Sequence, residues 1–197
     1  MVNFDSHAAR VKELMNQRAL HALVVMGSSN IFYLVGCDAP SAVIVFDDGR
    51  ILTLSTRLEY VRTLEEARLG AHLTFHKGGE LSEFENAIKG DLQAALKELL
   101  KDAPAGKVGA VGINLDIKKR LEDNLGFELK EITRDFLALR RRKEPSEIEA
   151  LRSAARVAEQ ALARALSALE EGVTEADVAA EIYDYILKSG SQPSFSP

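Results

Sequence analysis

Apolar residues recur at helical steps near the start of the chain, where Ala8, Val11, Leu14, Met15 and Leu20 predict an amphipathic helix over 6–20. The unbroken apolar run 22–26 then reads as a buried strand. "GSSNIFYLVG" follows, with Gly27, Ser28, Ser29 and Asn30 supplying turn and capping chemistry before a short apolar helix. The strongest local signal is "SAVIVFDDGRILTL", in which two β-rich runs flank Asp47, Asp48, Gly49 and Arg50; Asp-Gly suits the tight turn of a hairpin. A helix over 57–69, a strand over 71–76 and a long helix over 83–101, closed by Pro104 and Gly106, come next. Strand "KVGAVGI", a helix over 116–125 ended by Gly126, and strand "FELKEI" complete an alternating pattern. It describes an α/β domain over 1–135 with a mixed sheet, because the hairpin is antiparallel.

Beyond Thr133 the pattern changes. No strand candidate appears, and Ile148, Leu151, Ala155, Ala158, Leu162, Ala165 and Leu169 alternate steps of three and four in one long helix of roughly 35 Å. Ser146 and Glu149 fit a capping box at its start and Gly172 its end. A second helix carries Thr174 and Asp177 as a capping pair and Val178, Ile182 and Ile186 on one face. Residues 136–197 thus read as a linker and two helices. Their alanine-rich stripe lacks the large seam residues of a coiled coil, and two helices do not close a core by themselves. Their apolar faces are expected to need another surface.

Composition narrows the class. A hydrophobic fraction of 46% beside 28% charged residues belongs to a folded chain. The net charge of −5 gives no general attraction to a nucleic-acid polyanion. The opening lacks the apolar core of a signal peptide, no apolar run approaches the roughly 20 residues of a membrane helix, and a lone cysteine forms no internal disulfide. The expected setting is cytoplasmic, with no membrane and no nucleic acid as partner.

Candidate chemistry is sparse. His72 and His76 lie four apart, but on a strand that spacing separates them by about 13 Å, too far for one ion. His7 and His21 have no neighbouring ligand pattern and read as surface or partly buried residues. Asp177, Glu181 and Asp184 read as a solvated helix face, without the loop a hard cation needs. Cys37 lacks a helper histidine and reads as a small buried side chain. Arg140, Arg141, Arg142 and Lys143 are followed at once by Glu144, Glu147 and Glu149, and read as a linker tied by local ion pairs in preference to a phosphate-binding patch.

Two stretches carry a resemblance. "LALRRRKEPSEIEALRSAARVAEQAL" at 137–162, with Arg140, Lys143, Glu147, Ile148, Arg152 and Ala154, and the Gly172, Thr174 and Glu175 that follow, resemble the start of the catalytic domain in the creatinase and Xaa-Pro peptidase family. Asn30, Tyr33, Leu34 and Gly36 resemble the Asn-x-x-Tyr-Leu-x-Gly segment of that family's amino-terminal domain. The resemblance implies a creatinase-type amino-terminal domain followed by two helices of an incomplete pita-bread domain. It implies two divalent ions, manganese, cobalt or zinc, in the complete protein, held by two Asp, one His and two Glu downstream of Pro193, Ser194 and Phe195. On this view the chain stops before those ligands and is inactive alone. The complete protein hydrolyses the bond next to proline in peptide substrates and forms a homodimer. The resemblance also makes the loop of Cys37, Asp38, Ala39 and Pro40 a candidate substrate gate through Asp38, with a plain surface connection before the hairpin as the alternative reading, and Phe195 a candidate for lining the substrate pocket. The alternative is a stand-alone, non-catalytic dimerisation module of the same fold.

Overall fold

The computed structural model describes residues 2–77 and 86–191. Its backbone separates into two compact units, Asn3–Arg142 and the segment from Lys143 onward. In the first unit, helix α1 (Phe4–Gln17) leads to strand β1 (Ala22–Val25), helix α2 (Ser28–Val35), strands β2 (Ala42–Phe46) and β3 (Ile51–Thr56), and helix α3 (Arg57–Glu66). Strands β4 (Ala71–His76) and β5 (Ala87–Lys89), helix α4 (Leu92–Leu100), strand β6 (Val108–Val111), helix α5 (Leu115–Leu125), strand β7 (Lys130–Glu131) and helix α6 (Thr133–Arg141) follow. The sheet is mixed, in the order β5-β4-β3-β2-β1-β6-β7: β2 runs antiparallel to β1 and β3, and every other pairing is parallel.

Strand periodicity sorts the core onto two faces, since successive side chains of a strand point oppositely. Leu23 and Val25 of β1, with Val43 and Val45 of β2, pack with Val11 and Met15 of α1, Leu34 of α2 and Phe136 of α6. Ala22 and Val24, with Ala42, Ile44 and Phe46, pack with Leu96 and Leu100 of α4 and Leu121 of α5. Both faces of the central strands are therefore covered by helices, so β1 and β2 read as continuous apolar runs. The hairpin loop 47–49 closes with Gly49 N–H donating to the Phe46 carbonyl at 3.0 Å and Phe46 N–H to the Arg50 carbonyl at 2.9 Å. Gly49 takes φ +94°, the left-handed position that a three-residue hairpin loop demands.

Several sequence expectations are corrected. The helix expected over 83–101 begins only at Leu92, capped by Asp91, whose Oδ1 accepts the Ala94 N–H at 3.0 Å; Ala87–Lys89 is instead an edge strand, held by pairing with β4. Residues 83–85 of that expectation lie outside the described residues. The strand expected over 127–132 shrinks to Lys130–Glu131. Of the basic stretch expected as a linker, Arg140 and Arg141 form the last turn of α6, whose Phe136 is fully buried in the first unit. His7 is likewise no surface residue: it is buried, stacked on Tyr33 with ring centroids 4.1 Å apart, and its Nδ1 lies 2.7 Å from the Tyr33 carbonyl.

The second unit contains helices α7 (Pro145–Ser167) and α8 (Glu175–Lys188). The capping box of α7 is formed by Glu144 and Glu147, two residues earlier than the expected Ser146 and Glu149, because Pro145 at the first helical position sets the start. That of α8 uses Thr174 and Asp177. Between the two helices Arg164 stacks over the Tyr185 ring at 4.8 Å and Tyr185 donates to Gln160 at 2.9 Å. Ala161 and Ala165 are buried, whereas Leu151, Leu162 and Leu169 of the expected stripe are more than half exposed. Among the described residues no helix is long and apolar enough to cross a membrane.

Candidate functional site

The end of α2 sets up the site. Gly36 stops the helix in the left-handed conformation (φ +77°), its N–H donating to the Phe32 carbonyl at 2.8 Å. A Cβ there would lie 2.9 Å from the Phe4 ring and 3.0 Å from Arg68 Cγ, so both the backbone angle and the space require glycine. The chain then turns through Cys37, Asp38, Ala39 and Pro40 before β2.

Helix α3 holds this loop. Arg62 Nη2 donates to Asp38 Oδ1 at 2.6 Å, its Nε donates to Glu66 Oε1 at 3.0 Å, and its Nη1 lies 3.7 Å from Glu59. The buried Cys37 thiol donates to Glu66 Oε2 at 3.5 Å. Burial, foremost, pushes the Cys37 thiol above its ordinary value, and the hydrogen bond from Arg62 holds the Glu66 carboxyl below the usual carboxylate range. Cys37 is thus a protonated donor with little nucleophilic character.

Asp38 also lines an open cleft of about 310 Å³ with Ser28, Ser29, Phe32 and Arg140. Arg140 is anchored at its edge: its Nη1 donates to Asn30 Oδ1 at 2.6 Å, while Asn30 Nδ2 donates to the Met26 carbonyl at 2.9 Å. One acidic and one basic side chain therefore face a small polar concavity with an aromatic wall. It is equipped for recognition by charge and hydrogen bonding.

The other sequence candidates stand apart from this cleft. His72 Nδ1 meets Thr53 Oγ1 at 2.9 Å on the sheet, and burial pushes its pKa down; His21 pairs with Asp47 at 2.9 Å. Asp177 caps its own helix, and Asp184 pairs with Lys188 at 2.8 Å. Phe195, together with Pro193 and Ser194, lies outside the described residues. Sequence reasoning does not single out Arg62. Its spacing to Glu59 and Glu66 signals helical ion pairs, but the bond to Asp38 crosses 24 positions and leaves no local trace.

A family model described as the Creatinase/Prolidase N-terminal domain matches residues 8–160. The chain belongs to this creatinase/prolidase family. A second model, metallopeptidase family M24, matches residues 149–197. An Xaa-Pro dipeptidase of Pyrococcus horikoshii is 23% identical over 189 residues, covering 94% of this chain and 49% of the relative. Among solved structures, an X-Pro aminopeptidase from Thermotoga maritima superposes with TM-score 0.74 at 17% identity, covering 93% of this chain and 49% of that one. An Xaa-Pro dipeptidase from Bacillus anthracis gives TM-score 0.72 at 15% identity, over 94% and 49%. The chain spans about half the length of the relatives it matches.

An M24 metallopeptidase implies a divalent metal in the complete protein. Among the described residues, Cys37, Asp38 and Glu66 come within reach of a common ion. They do not fit a divalent metal. The Arg62 guanidinium already bonds both carboxylates, and the thiol is held protonated by burial.

Proposed function

We propose that this chain is the amino-terminal part of a metal-dependent Xaa-Pro peptidase, with α7 and α8 as the opening helices of its catalytic domain. The observation that carries the reading is the continuous order of the two family matches, 8–160 running into 149–197, on one chain. On this reading the first unit does not cleave peptides. It supports a homodimer in the cytoplasm and presents the loop of Asp38 to proline-containing substrate at a neighbouring active site. The fixed Asp38–Arg62 pair supports this role, because a gate must be positioned to discriminate. Two ions, manganese, cobalt or zinc, would be held by residues beyond those matched here.

The gene read past the codon for Pro197 tests the proposal: continuation into two Asp, one His and two Glu ligands is expected. An immediate stop overturns it in favour of a stand-alone dimerisation module. The purified 197-residue chain, supplied with each of the three metals, is expected to leave a Gly-Pro dipeptide intact, and turnover would contradict the assignment of chemistry elsewhere.

A further inference from the structure

Helix α3 buries little apolar surface. Leu58 is 87% exposed, Val61 56% and Leu64 48%, while the residues the helix buries are Tyr60 and Thr63. The sheet beneath it is polar as well. The face that carries Val43 at β2, in the core under α1, continues across β3 and β4 as Thr53, Ser55, His72 and Thr74, because Val43 pairs with Thr53, Thr53 with His72 and Ser55 with Thr74. Thr53, Ser55, Thr63 and Thr74 are all fully buried. Thr63 Oγ1 donates to the Glu59 carbonyl at 2.8 Å, so Ser55 Oγ, 2.7 Å away, donates to Thr63; Tyr60 OH reaches the His72 carbonyl at 3.4 Å. Thr74 Oγ1 has no hydrogen-bond partner among the described residues. Helix α1 gives Val11, Leu14 and Met15 to the apolar core, whereas among the described residues α3 gives none of its own to either apolar cluster.

Such a seat is weak. A hydroxyl–hydroxyl bond across it replaces bonds to water and gains little, and a buried hydroxyl without a partner opposes closure. Leu58, Val61 and Leu64 are already in water and so do not resist opening. The ends of the helix are better fixed: Thr56 both ends β3 and caps α3, accepting the Glu59 N–H at 3.4 Å, and beyond Ala67, which leaves the helix in extended backbone, Arg68 N–H donates to the Val35 carbonyl at 2.8 Å. We infer that α3 is a latch: it undocks from the sheet as a local unit between pivots at Thr56 and Ala67, and its undocking frees the loop of Asp38. The side-chain bonds from Asp38 and Cys37 to other elements both end on this helix, at Arg62 and Glu66. Opening α3 therefore breaks both together. The latch operates whether or not the Asp38 loop meets substrate; in a gate of the kind proposed above, it sets how often the loop is released.

Native-state hydrogen exchange of the 197-residue chain in low urea tests this. The amides of residues 61–66 are expected to exchange through an opening that urea hardly accelerates, since it exposes little surface, while those of Ala22–Val25 exchange through an unfolding that urea accelerates steeply. Alkylation of Cys37 by iodoacetamide is expected to run at least about a hundredfold slower than in concentrated urea, with the same weak urea dependence as residues 61–66. Ser55→Ala with Thr63→Val makes the seam apolar and should slow both processes about fivefold. Tyr60→Ala should speed both at least about tenfold while the amides of β1 keep their protection. Helix α3 amides that exchange only together with those of β1 overturn the latch. An α3 that opens while Cys37 is alkylated only on global unfolding overturns its hold on the loop. A seam variant that exchanges as fast as wild type, or faster, overturns the polar seam as the cause.

Discussion

Replacing Asn30 by alanine removes a side chain that ties the end of β1, helix α2 and helix α6 together. Its amide donates to the Met26 carbonyl at 2.9 Å and accepts from Arg140 Nη1 at 2.6 Å, and the residue is 9% exposed. The neutral bond is worth about 1 kcal/mol. The charge-assisted one would be worth more if buried, but Arg140 lines an open cleft, which discounts it to about 1 kcal/mol. Truncation also leaves the Met26 carbonyl without this donor. Asn30→Ala is therefore expected to destabilise the first unit by about 2–3 kcal/mol, and Arg140→Ala by about 1 kcal/mol. The double variant should show a coupling of about 1 kcal/mol, since both truncations delete the same bond. Urea unfolding followed by circular dichroism, with hydrogen exchange of the Ser28–Val35 amides, assigns the loss to this unit and not to α7 and α8. A loss under about 0.5 kcal/mol for Asn30→Ala, or additive single losses, would refute the tether and return Arg140 to the solvated basic run its neighbours suggest.

Two glycines of similar backbone angle should separate geometry from space. Gly112 (φ +67°) would press a Cβ onto the Met26 carbonyl oxygen, whereas Gly126 (φ +77°) has nothing within 4 Å, so Gly112→Ala is expected to cost about 2 kcal/mol more than Gly126→Ala in chemical denaturation. Cys37 should resist a disulfide-exchange reagent at about pH 8 in the folded chain and react fully in urea; rapid native reaction would contradict its burial. Glu122 accepts from Lys118 at 2.8 Å and from the Leu129 N–H at 2.7 Å, which together hold its carboxyl below the ordinary range. A depressed folded pKa gives stabilisation that is complete above the unfolded glutamate value and lost as pH falls through the folded one. Glu122→Gln should accordingly unfold at lower urea than wild type at neutral pH, and the gap should close as pH falls through that window.

The elements legible in the sequence are those whose signal is local. The hairpin announces itself because two β-rich runs flank a turn that only certain residues tolerate, and α5 because Gly126 marks its end, although the sequence reading does not single out its N-cap Asn114. The elements that escape a sequence reading depend on partners far away in the chain. Ala87–Lys89 is too short to show a period, and its strand character comes from Thr74, Phe75 and His76 beside it. Helix α6 is rich in charge, with Phe136 as its anchor in the core, so its sequence looks like a linker until α1 and the sheet supply the site that Phe136 fills. The stripe on α7 is apolar, as its spacing predicts, yet much of it is not buried within the second unit, because periodicity reports which face is apolar and says nothing about what covers it.

The family segment illustrates the same limit at the candidate site. Each of its residues has a structural role. Asn30 tethers α6, Tyr33 stacks on His7 and meets the Phe136 ring edge-on at 5.8 Å, Leu34 is fully buried, and Gly36 turns the chain where a Cβ would strike Phe4. Together they fix where the loop carrying Asp38 leaves the helix, while the network that holds that loop is built from Cys37, Asp38, Arg62 and Glu66. A recognisable motif here marks the scaffold that aims a loop, and the loop's own chemistry is set by an arginine 24 positions downstream of Asp38. If Asp38 gates substrate, Arg62→Met should loosen the gate while leaving the motif and the fold untouched. In the protein expressed from its whole reading frame, that change should raise KM for a proline dipeptide more than it lowers kcat, with an unchanged thermal midpoint; an equal fall in kcat and kcat/KM would place Asp38 in the chemistry instead.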